Sequence, residues 1–252
     1  MYNFFVSDDS RQGDFYFISG GDYNHIVNVL RMKKGEEFLV SDGGASNLCC
    51  IEDISSDSVQ VRIITENYKV SELPIEIYLF QGLPKSDKME LIIQKATELG
   101  AVEIIPTEMK RSVVKLDEKR KKNKAQRWQS IAESAAKQSK RNVIPNVSEV
   151  MSFSEAVKAA EGLDLVLVPY ENEQGMESTK AALAEMKNSM KIGIFIGPEG
   201  GFERSEIEKL VSLGAKTVSL GERILRTETA AITALSMCMI WAEMNPGENA
   251  ND

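Results

Sequence analysis

A glycine-rich segment between a predicted strand and a predicted helix carries the strongest local indication of chemistry. It reads Ile196-Gly197-Pro198-Glu199-Gly200-Gly201-Phe202. Glycines let a backbone approach a ligand closely, and open α/β folds bind ligands where their strands end. The segment lacks the Gly-Lys-Ser/Thr of a P-loop and the G-x-G-x-x-G of dinucleotide folds. A tight strand-to-helix turn would explain the segment equally well.

A second segment again runs from a strand through a loop into a helix. It reads Leu220-Gly221-Glu222-Arg223-Ile224-Leu225-Arg226-Thr227-Glu228-Thr229-Ala230. Ile224 and Leu225 lie between charged residues, which suits either a wall against an adenine ring or an anchor to the core. Thr227 is a plausible helix N-cap and Glu228 favours the positive helix end. A structural role for these two residues is therefore at least as well supported as a catalytic one.

Alternating strands and helices must position both segments. From residue 75 onward, strands are predicted at 75–80, 102–105, 163–168, 192–196 and 217–220. Pro106 should close the second of them, Ser152-x-x-Glu155 is a capping box, and helices are expected at 125–140 and 227–244. Apolar strands alternating with helices predict a largely parallel sheet covered on both faces, an α/β fold.

The chain before this alternation predicts a small β-rich unit. Strands are expected at 15–18, 37–40, 48–51 and 59–64, with one helix near 22–32. We therefore expect a first domain at residues 1–72, a second at 73–245 and a disordered tail at 246–252.

Composition limits the classes of protein to be considered. The chain has 252 residues, of which 42% are hydrophobic and 27% charged, and three cysteines and one histidine make a zinc site improbable. The sequence shows neither an apolar span nor a signal peptide, so a cytoplasmic location is expected.

Net charge is −8, yet Lys110 to Arg141 holds twelve basic residues against three acids, so this basic segment carries +9. It fits either RNA contact or a solvated face.

Six segments, in order along the chain, resemble the SPOUT class of methyltransferases, specifically the RsmE-type 16S ribosomal RNA uridine N3-methyltransferases. Besides the two segments above, they are HIVNVLRM from His25 followed by Gly35, KMELIIQKATELG from Lys88, RSVV from Arg111 and AKQSKR from Ala136. Each motif alone is weakly specific, whereas six in the expected order are a strong indication.

The resemblance implies more than the periodicity does. It implies a small PUA-like β-barrel domain that binds RNA, followed by an α/β domain with a trefoil knot, which is a rare feature. It also implies S-adenosylmethionine as cofactor, a homodimer, no metal or membrane, and 16S ribosomal RNA or the small ribosomal subunit as partner. The cofactor pocket would comprise Val168, Pro169, Tyr170, Gly197, Glu199, Gly200, Gly201, Leu220, Gly221, Ile224, Leu225, Arg226 and Thr227. The residues expected to hold RNA are Arg31, Arg111, Gln138, Ser139 and Arg141.

The chemistry that this family implies requires a proton to leave uracil N3. A general base or a cation that stabilises the uracil anion would assist that step. Arg226 is the candidate cation, and Glu199 and Glu228 are the candidate bases. A ribose 2′-O-methyltransferase of the same fold and a non-catalytic RNA-binding ribosome-assembly protein remain alternatives.

Overall fold

The protein, described here by a computed structural model over residues 1–173, 175–188 and 190–246, divides into two compact units. The first comprises Met1–Glu72 and Ala136–Ile144, and the second comprises Leu73–Ala135 and the chain from Pro145 onward. Nothing in the sequence indicated that residues 136–144 belong to the first unit. The predicted tail at 246–252 lies outside the described residues except for Pro246.

The first unit is built on a six-stranded sheet. Its strands are β1 (Asn3–Phe5), β2 (Arg11–Gln12), β3 (Phe15–Ser19), β4 (Glu37–Ser41), β5 (Ser46–Ile54) and β6 (Ser58–Lys69), in the order β1-β4-β5-β6-β3-β2. A 3₁₀ turn spans Asp8–Ser10, and helix α1 (Gly20–Asn24) continues as a π-helical turn, His25–Val29. The core includes Tyr16, Ile26, Phe38, Cys49 and Val61. The predicted helix at 22–32 thus begins earlier and ends before Arg31, whose φ is +54°.

A buried ion pair fixes residues 136–144 within the first unit. The guanidinium of Arg141 contacts the carboxylate of Glu72, and the Arg141 side chain is only 4% exposed. The neighbouring Asn142 donates from Nδ2 to Ser46 Oγ at 2.6 Å. The expectation that Arg141 grips RNA phosphates is therefore wrong, because its guanidinium is withdrawn from solvent and already neutralised.

The second unit is built on a seven-stranded sheet. Its strands are β7 (Glu76–Gly82), β8 (Ala101–Glu108), β9 (Asn146–Val147), β10 (Met151–Ser152), β11 (Leu165–Pro169), β12 (Lys191–Ile196) and β13 (Lys216–Val218). Its helices are α2 (Lys88–Glu98), α3 (Glu118–Ser139), α4 (Phe153–Ala160), α5 (Glu177–Glu185), α6 (Arg204–Ser212) and α7 (Thr227–Met244). The last four residues of α3 belong to the first unit. The strand order is β10-β8-β7-β12-β11-β13, with β9 also beside β8.

Every ladder of this sheet is parallel, which confirms the predicted sheet type. Successive residues of the central strands face opposite sides. Leu79 and Ile194 pack with α2, α3 and α7, whereas Phe80 and Phe195 pack with α4 and α6. Both faces are therefore covered, as predicted, and the carboxyl ends of the strands form one edge. The capping box at Ser152 and Glu155 is also present.

Pro106 does not end its strand, contrary to the sequence prediction. β8 continues to Glu108, and Pro106 lies opposite Gln81 of β7. The carbonyl of Thr107 faces β7, where it accepts from Leu83 N at 3.0 Å, so Pro106 faces the other edge. On that edge β9 pairs residues 103–104 and β10 pairs residues 107–108. The missing N–H of Pro106 thus falls between two short partners, where no ladder hydrogen bond is lost.

Helix α3 begins seven residues before the predicted start at 125. The carboxylate of Asp117 accepts from the N–H of Arg120 at 2.8 Å, which caps the first turn. The first turns are rich in Lys and Arg and lack an apolar period, so no buried stripe in the sequence marks them as helical. No helix in the described part of the chain combines the length and apolar composition needed to cross a bilayer.

Candidate functional site

A cavity of about 740 Å³ lies at the carboxyl edge of the parallel sheet in the second unit. The chain following β11, β12 and β13 forms its wall, together with the first residues of α2 and α7. Its volume is in the range of small-molecule sites. Most of the predicted cofactor residues line it: Pro169, Tyr170, Gly197, Glu199, Gly201, Leu220, Gly221, Ile224, Leu225, Arg226 and Thr227.

Val168 and Gly200 are the predicted cofactor residues that do not line this cavity. Val168 is fully buried and packs in the core beneath the sheet, because its strand neighbours alternate between faces. A Cβ on Gly200 would lie 3.0 Å from the Cβ of Arg111, so Gly200 faces that arginine. The next residue, Gly201, does line the cavity, and its φ of +68° is one that L side chains rarely adopt.

The hydroxyl of Thr227 joins three elements beneath the cavity. It donates to the carbonyl of Gly197 at 2.7 Å and lies 3.0 Å from Nε2 of Gln81 at the end of β7. Helix α7 begins at Thr227, so Arg226 occupies the N-cap position that was predicted for Thr227. This buried network holds the start of α7 against the glycine loop.

An ion cluster occupies one part of the wall. The ammonium Nζ of Lys88 lies 3.2 Å from Oε1 of Glu199 and 3.2 Å from Oε2 of Glu228. Glu199 also accepts from the backbone N–H of Lys85 at 3.0 Å. The two candidate bases thus share one cation, which sequence reasoning did not assign to the site. Its position as the first residue of α2, the helix that follows β7, was the signal that could have found it.

The cluster shifts the pKa values of two of its members. Hydrogen bonds to Glu228 and then to Glu199 raise the pKa of Lys88. Partial burial alone would raise the pKa of Glu199, but backbone N–H groups, that of Lys85 among them, and the Lys88 ammonium outweigh it and lower the pKa. Lys88 is therefore a cation and Glu199 a carboxylate at neutral pH.

The remaining predicted residues have different surroundings. Arg226 is exposed at the cavity, and Ile224 is 90% exposed beside it. Arg111 donates from Nη1 to the carbonyl of Gly200 at 3.0 Å, so it supports the glycine loop directly. In the first unit, Arg31 and Gln138 are exposed and Ser139 is half-buried. The cavity wall also contains charged residues that the sequence did not single out: Glu171, Glu173, Glu222 and Arg223.

Comparison with known proteins gives this geometry a context. Residues 71–239 match the RNA methyltransferase domain family, and residues 18–64 match the RNA methyltransferase PUA domain family. The ribosomal RNA small subunit methyltransferase E of Bacillus subtilis (strain 168) is 41% identical over 237 residues, with 92% of this chain and 93% of the relative covered. This chain belongs to the ribosomal RNA small subunit methyltransferase E family.

A solved structure agrees with that family membership. The ribosomal RNA small subunit methyltransferase E from Neisseria gonorrhoeae, crystallised bound to S-adenosyl methionine, has a TM-score of 0.80 at 29% identity. The match covers 96% of this chain and 99% of that one. The family resemblance read from the sequence is confirmed, and with it the PUA-like first domain.

Gly201 provides a direct test of the cavity as the methyltransferase site. A Cβ there would project toward Glu171, with Oε1 at 3.9 Å. We expect Gly201→Ala to weaken binding of S-adenosylmethionine at least tenfold, because the methyl group narrows the cavity and the loop must leave its φ. Calorimetric titration measures the dissociation constant.

Gly214→Ala is the matched control, since Gly214 has a φ of +90° with open space around its Cβ position and lies outside the cavity. Both variants should lose roughly 1–2 kcal/mol of folding stability, because a residue with a Cβ is strained at a positive φ. Equal cofactor affinities in the two variants would show that Gly201 does not border the ligand.

Proposed function

We propose that this protein transfers the methyl group of S-adenosylmethionine to N3 of one uridine in 16S ribosomal RNA of the small subunit. The observation that carries the proposal is the cavity at the sheet edge, walled by the glycine loop and by the loop from Leu220 to Thr227. A family member with the same fold was crystallised with this cofactor. Within the protein, residues 1–72 would bind RNA and residues 73–245 would hold the knotted methyltransferase domain.

The charge of the cavity wall suits this cofactor. S-adenosylmethionine carries a sulfonium, an ammonium and a carboxylate, so it is a net cation. The wall includes Glu171, Glu173, Glu199 and Glu222 against Lys88, Arg223 and Arg226, a small excess of acids. Half-buried Leu225 and Leu220 offer apolar surface for the adenine. When bound, the cofactor supplies an already activated methyl group, and the protein must mainly align the nucleophile behind it.

The residues proposed for catalysis are Arg226, Glu199 and Glu228. Exposed Arg226 can reach a substrate at the cavity and stabilise charge on the uracil oxygens. Glu199 lines the cavity, whereas Glu228 contacts Lys88 from α7 and is not part of the cavity wall. Glu199 is therefore the better placed of the two carboxylates to accept the N3 proton.

The proposed activity is tested by cofactor binding and by the position of the new methyl group. S-adenosylmethionine should bind in the presence of EDTA, because the proposed site uses no metal. Incubation with small ribosomal subunits that lack the modification should then yield 3-methyluridine, read by mass spectrometry of nucleosides. A methyl group on a ribose oxygen would identify a 2′-O-methyltransferase instead, and cofactor binding without transfer to any RNA would contradict the enzyme.

The basic segment is proposed to contact RNA through its exposed lysines. Several of its members are committed to ion pairs, including Lys115 with Glu108, Lys121 with Glu118 and Arg127 with Glu90. Lys119 and Lys122 are exposed and have no ion pair among the described residues. These two ammonium groups are thus available to phosphate.

We expect Lys119→Gln with Lys122→Gln to weaken RNA binding and to lower the slope of log affinity against log salt by roughly one per lost contact. Lys158→Gln with Lys209→Gln, which removes the same charge from α4 and α6, should leave the slope unchanged. Arg141→Ala should instead cost about 3–5 kcal/mol of folding stability, because the carboxylate of Glu72 loses its cation. RNA titrations at several salt concentrations measure the slope, and urea denaturation measures the folding stability. An unchanged slope in Lys119→Gln with Lys122→Gln would show that the basic segment is only a solvated surface.

A homodimer is proposed from the composition of α7. One side of this helix is buried in its own core through Ala231, Ala234, Leu235 and Cys238. The other side is also apolar, and Ile240 and Met244 are 51% and 75% exposed. A helix that serves only one core needs a single apolar stripe, so the second surface is proposed to pack against another copy of the chain in the cytoplasm.

Sedimentation at micromolar concentration should therefore give twice the chain mass of 28.0 kDa. Ile240→Glu should shift the protein to monomer, because a carboxylate would be buried at the contact. Val211→Glu, on an exposed apolar position of α6, is the control that should remain dimeric. A monomeric unaltered protein would rule out the dimer.

A further inference from the structure

We propose that Lys88 is a positioning residue for methyl transfer, which keeps Glu199 and Glu228 together as two ionised carboxylates. This inference rests on the proposed function. It gives Lys88 a part in setting the lowest pH at which the enzyme works. It also separates the two carboxylates by role, because Glu199 borders the cavity and Glu228 lies behind the lysine.

The geometry of the cluster carries this inference. Lys88 is the first residue of α2, Glu199 lies in the loop after β12, and Glu228 lies in the first turn of α7. The side chains of these residues are 29%, 26% and 15% exposed, respectively. Three separate elements thus bring one cation and two anions to a single partly buried point.

Without the lysine, one of the two carboxylates would take up a proton more readily. Both carboxylates reach the same Nζ at 3.2 Å, so they lie close to one another. Two carboxylates that share a site cannot both stay ionised cheaply, and the pKa of one of them rises. The ammonium offsets that repulsion and leaves Glu199 free to accept a proton.

Other charged groups line the same cavity but belong to other parts of the wall. The charged groups in contact with the Lys88 ammonium, among the described residues, are Glu199 and Glu228. The loop before α2 contributes a backbone N–H from Lys85 to Glu199 rather than a charge. The remaining charged side chains of the wall are Glu171, Glu173, Glu222, Arg223 and Arg226.

Glu199 acts as the base in the reaction step that the cluster serves. The uracil N3 proton passes to an oxygen of Glu199, and N3 forms a bond to the methyl carbon. The carbon–sulfur bond breaks, and its electron pair stays on sulfur. Glu199 then releases the proton to solvent. This step requires Glu199 to be ionised before transfer, so its rate falls when the pH drops through the pKa of Glu199.

The experiment compares single-turnover methylation of small ribosomal subunits between pH 5.5 and 9 for the unaltered enzyme and variants. Lys88→Met removes the charge and nearly preserves the side-chain length. The acidic limb of the unaltered enzyme should lie below this range, because the pKa of Glu199 is lowered. We expect the limb of Lys88→Met to move upward into the range. Its activity should fall severalfold at pH 6 and stay within about fivefold of the unaltered enzyme at pH 8.5.

Three further variants complete the test. Lys88→Arg should restore the original limb, because it retains the cation. Lys88→Met combined with Glu228→Gln should move the limb back toward lower pH, because the second anion is gone. Lys95→Met, which removes another lysine of α2 that pairs with Glu98 at 2.8 Å, is the matched control and should not shift the limb.

The outcomes that would overturn the inference are distinct. A loss of activity in Lys88→Met that is equal at every pH would show that the lysine contacts a ligand directly. An unshifted limb, or no return of the limb in the double variant, would also contradict it. Circular dichroism checks folding, and Lys88→Gln replaces Lys88→Met if the latter does not fold.

The affinity for S-adenosylmethionine, measured at pH 6 and pH 8.5, provides a second readout that needs no transfer. A cationic ligand should bind less tightly to Lys88→Met at pH 6 than at pH 8.5, because one carboxylate is then protonated. The unaltered enzyme should show a smaller difference. If the two proteins differ in the pH dependence of cofactor affinity but the unaltered enzyme methylates no RNA, the proposed function fails and the role of Lys88 stands. If cofactor affinity depends on pH equally in both proteins, the role proposed for Lys88 is refuted.

Discussion

The site depends on one constraint, which is that all strands of the second unit run parallel. Parallel strands bring their carboxyl ends to one edge, so loops far apart in sequence meet there. The hydroxyl of Thr227 links two of these strand ends, since it donates to the carbonyl of Gly197 after β12 and accepts from Nε2 of Gln81 in β7. Because Gln81 and Thr227 are both buried, this contact fixes where α7 begins and hence where Arg226 and Glu228 lie.

The charge distribution explains how an acidic protein can handle two ligands of opposite charge. The cavity wall carries a small excess of acids, which favours a cationic cofactor. The basic segment carries +9 in sequence, yet carboxylates outside the segment, among them Glu108, Glu90 and Glu72, form ion pairs with its members and offset part of this charge. The charge that is available to phosphate is therefore smaller and more local than a count of basic residues suggests.

Two arginines of the same segment illustrate how burial separates residues of one type. Arg111 is 46% exposed and donates to the carbonyl of Gly200, so it supports the glycine loop from outside the cavity. Arg141 is withdrawn from solvent and pairs with Glu72. A change at Arg111 would disturb the cofactor loop as well as any RNA contact, so the two binding functions are not separable at that position.

Local patterns in the sequence determined the parallel sheet, the bounds of α7, the capping box at Ser152 and most residues of the cavity wall. These features depend on side-chain periodicity or on strand ends, which neighbours in the chain decide. Only the tertiary structure decided the rest. The partners of Lys88 come from two distant segments, Arg141 is buried because Glu72 lies beside it, and Pro106 stays within β8 because its outer edge lacks a partner there. Contacts between residues far apart in sequence leave no periodic trace, so no local pattern could reveal them.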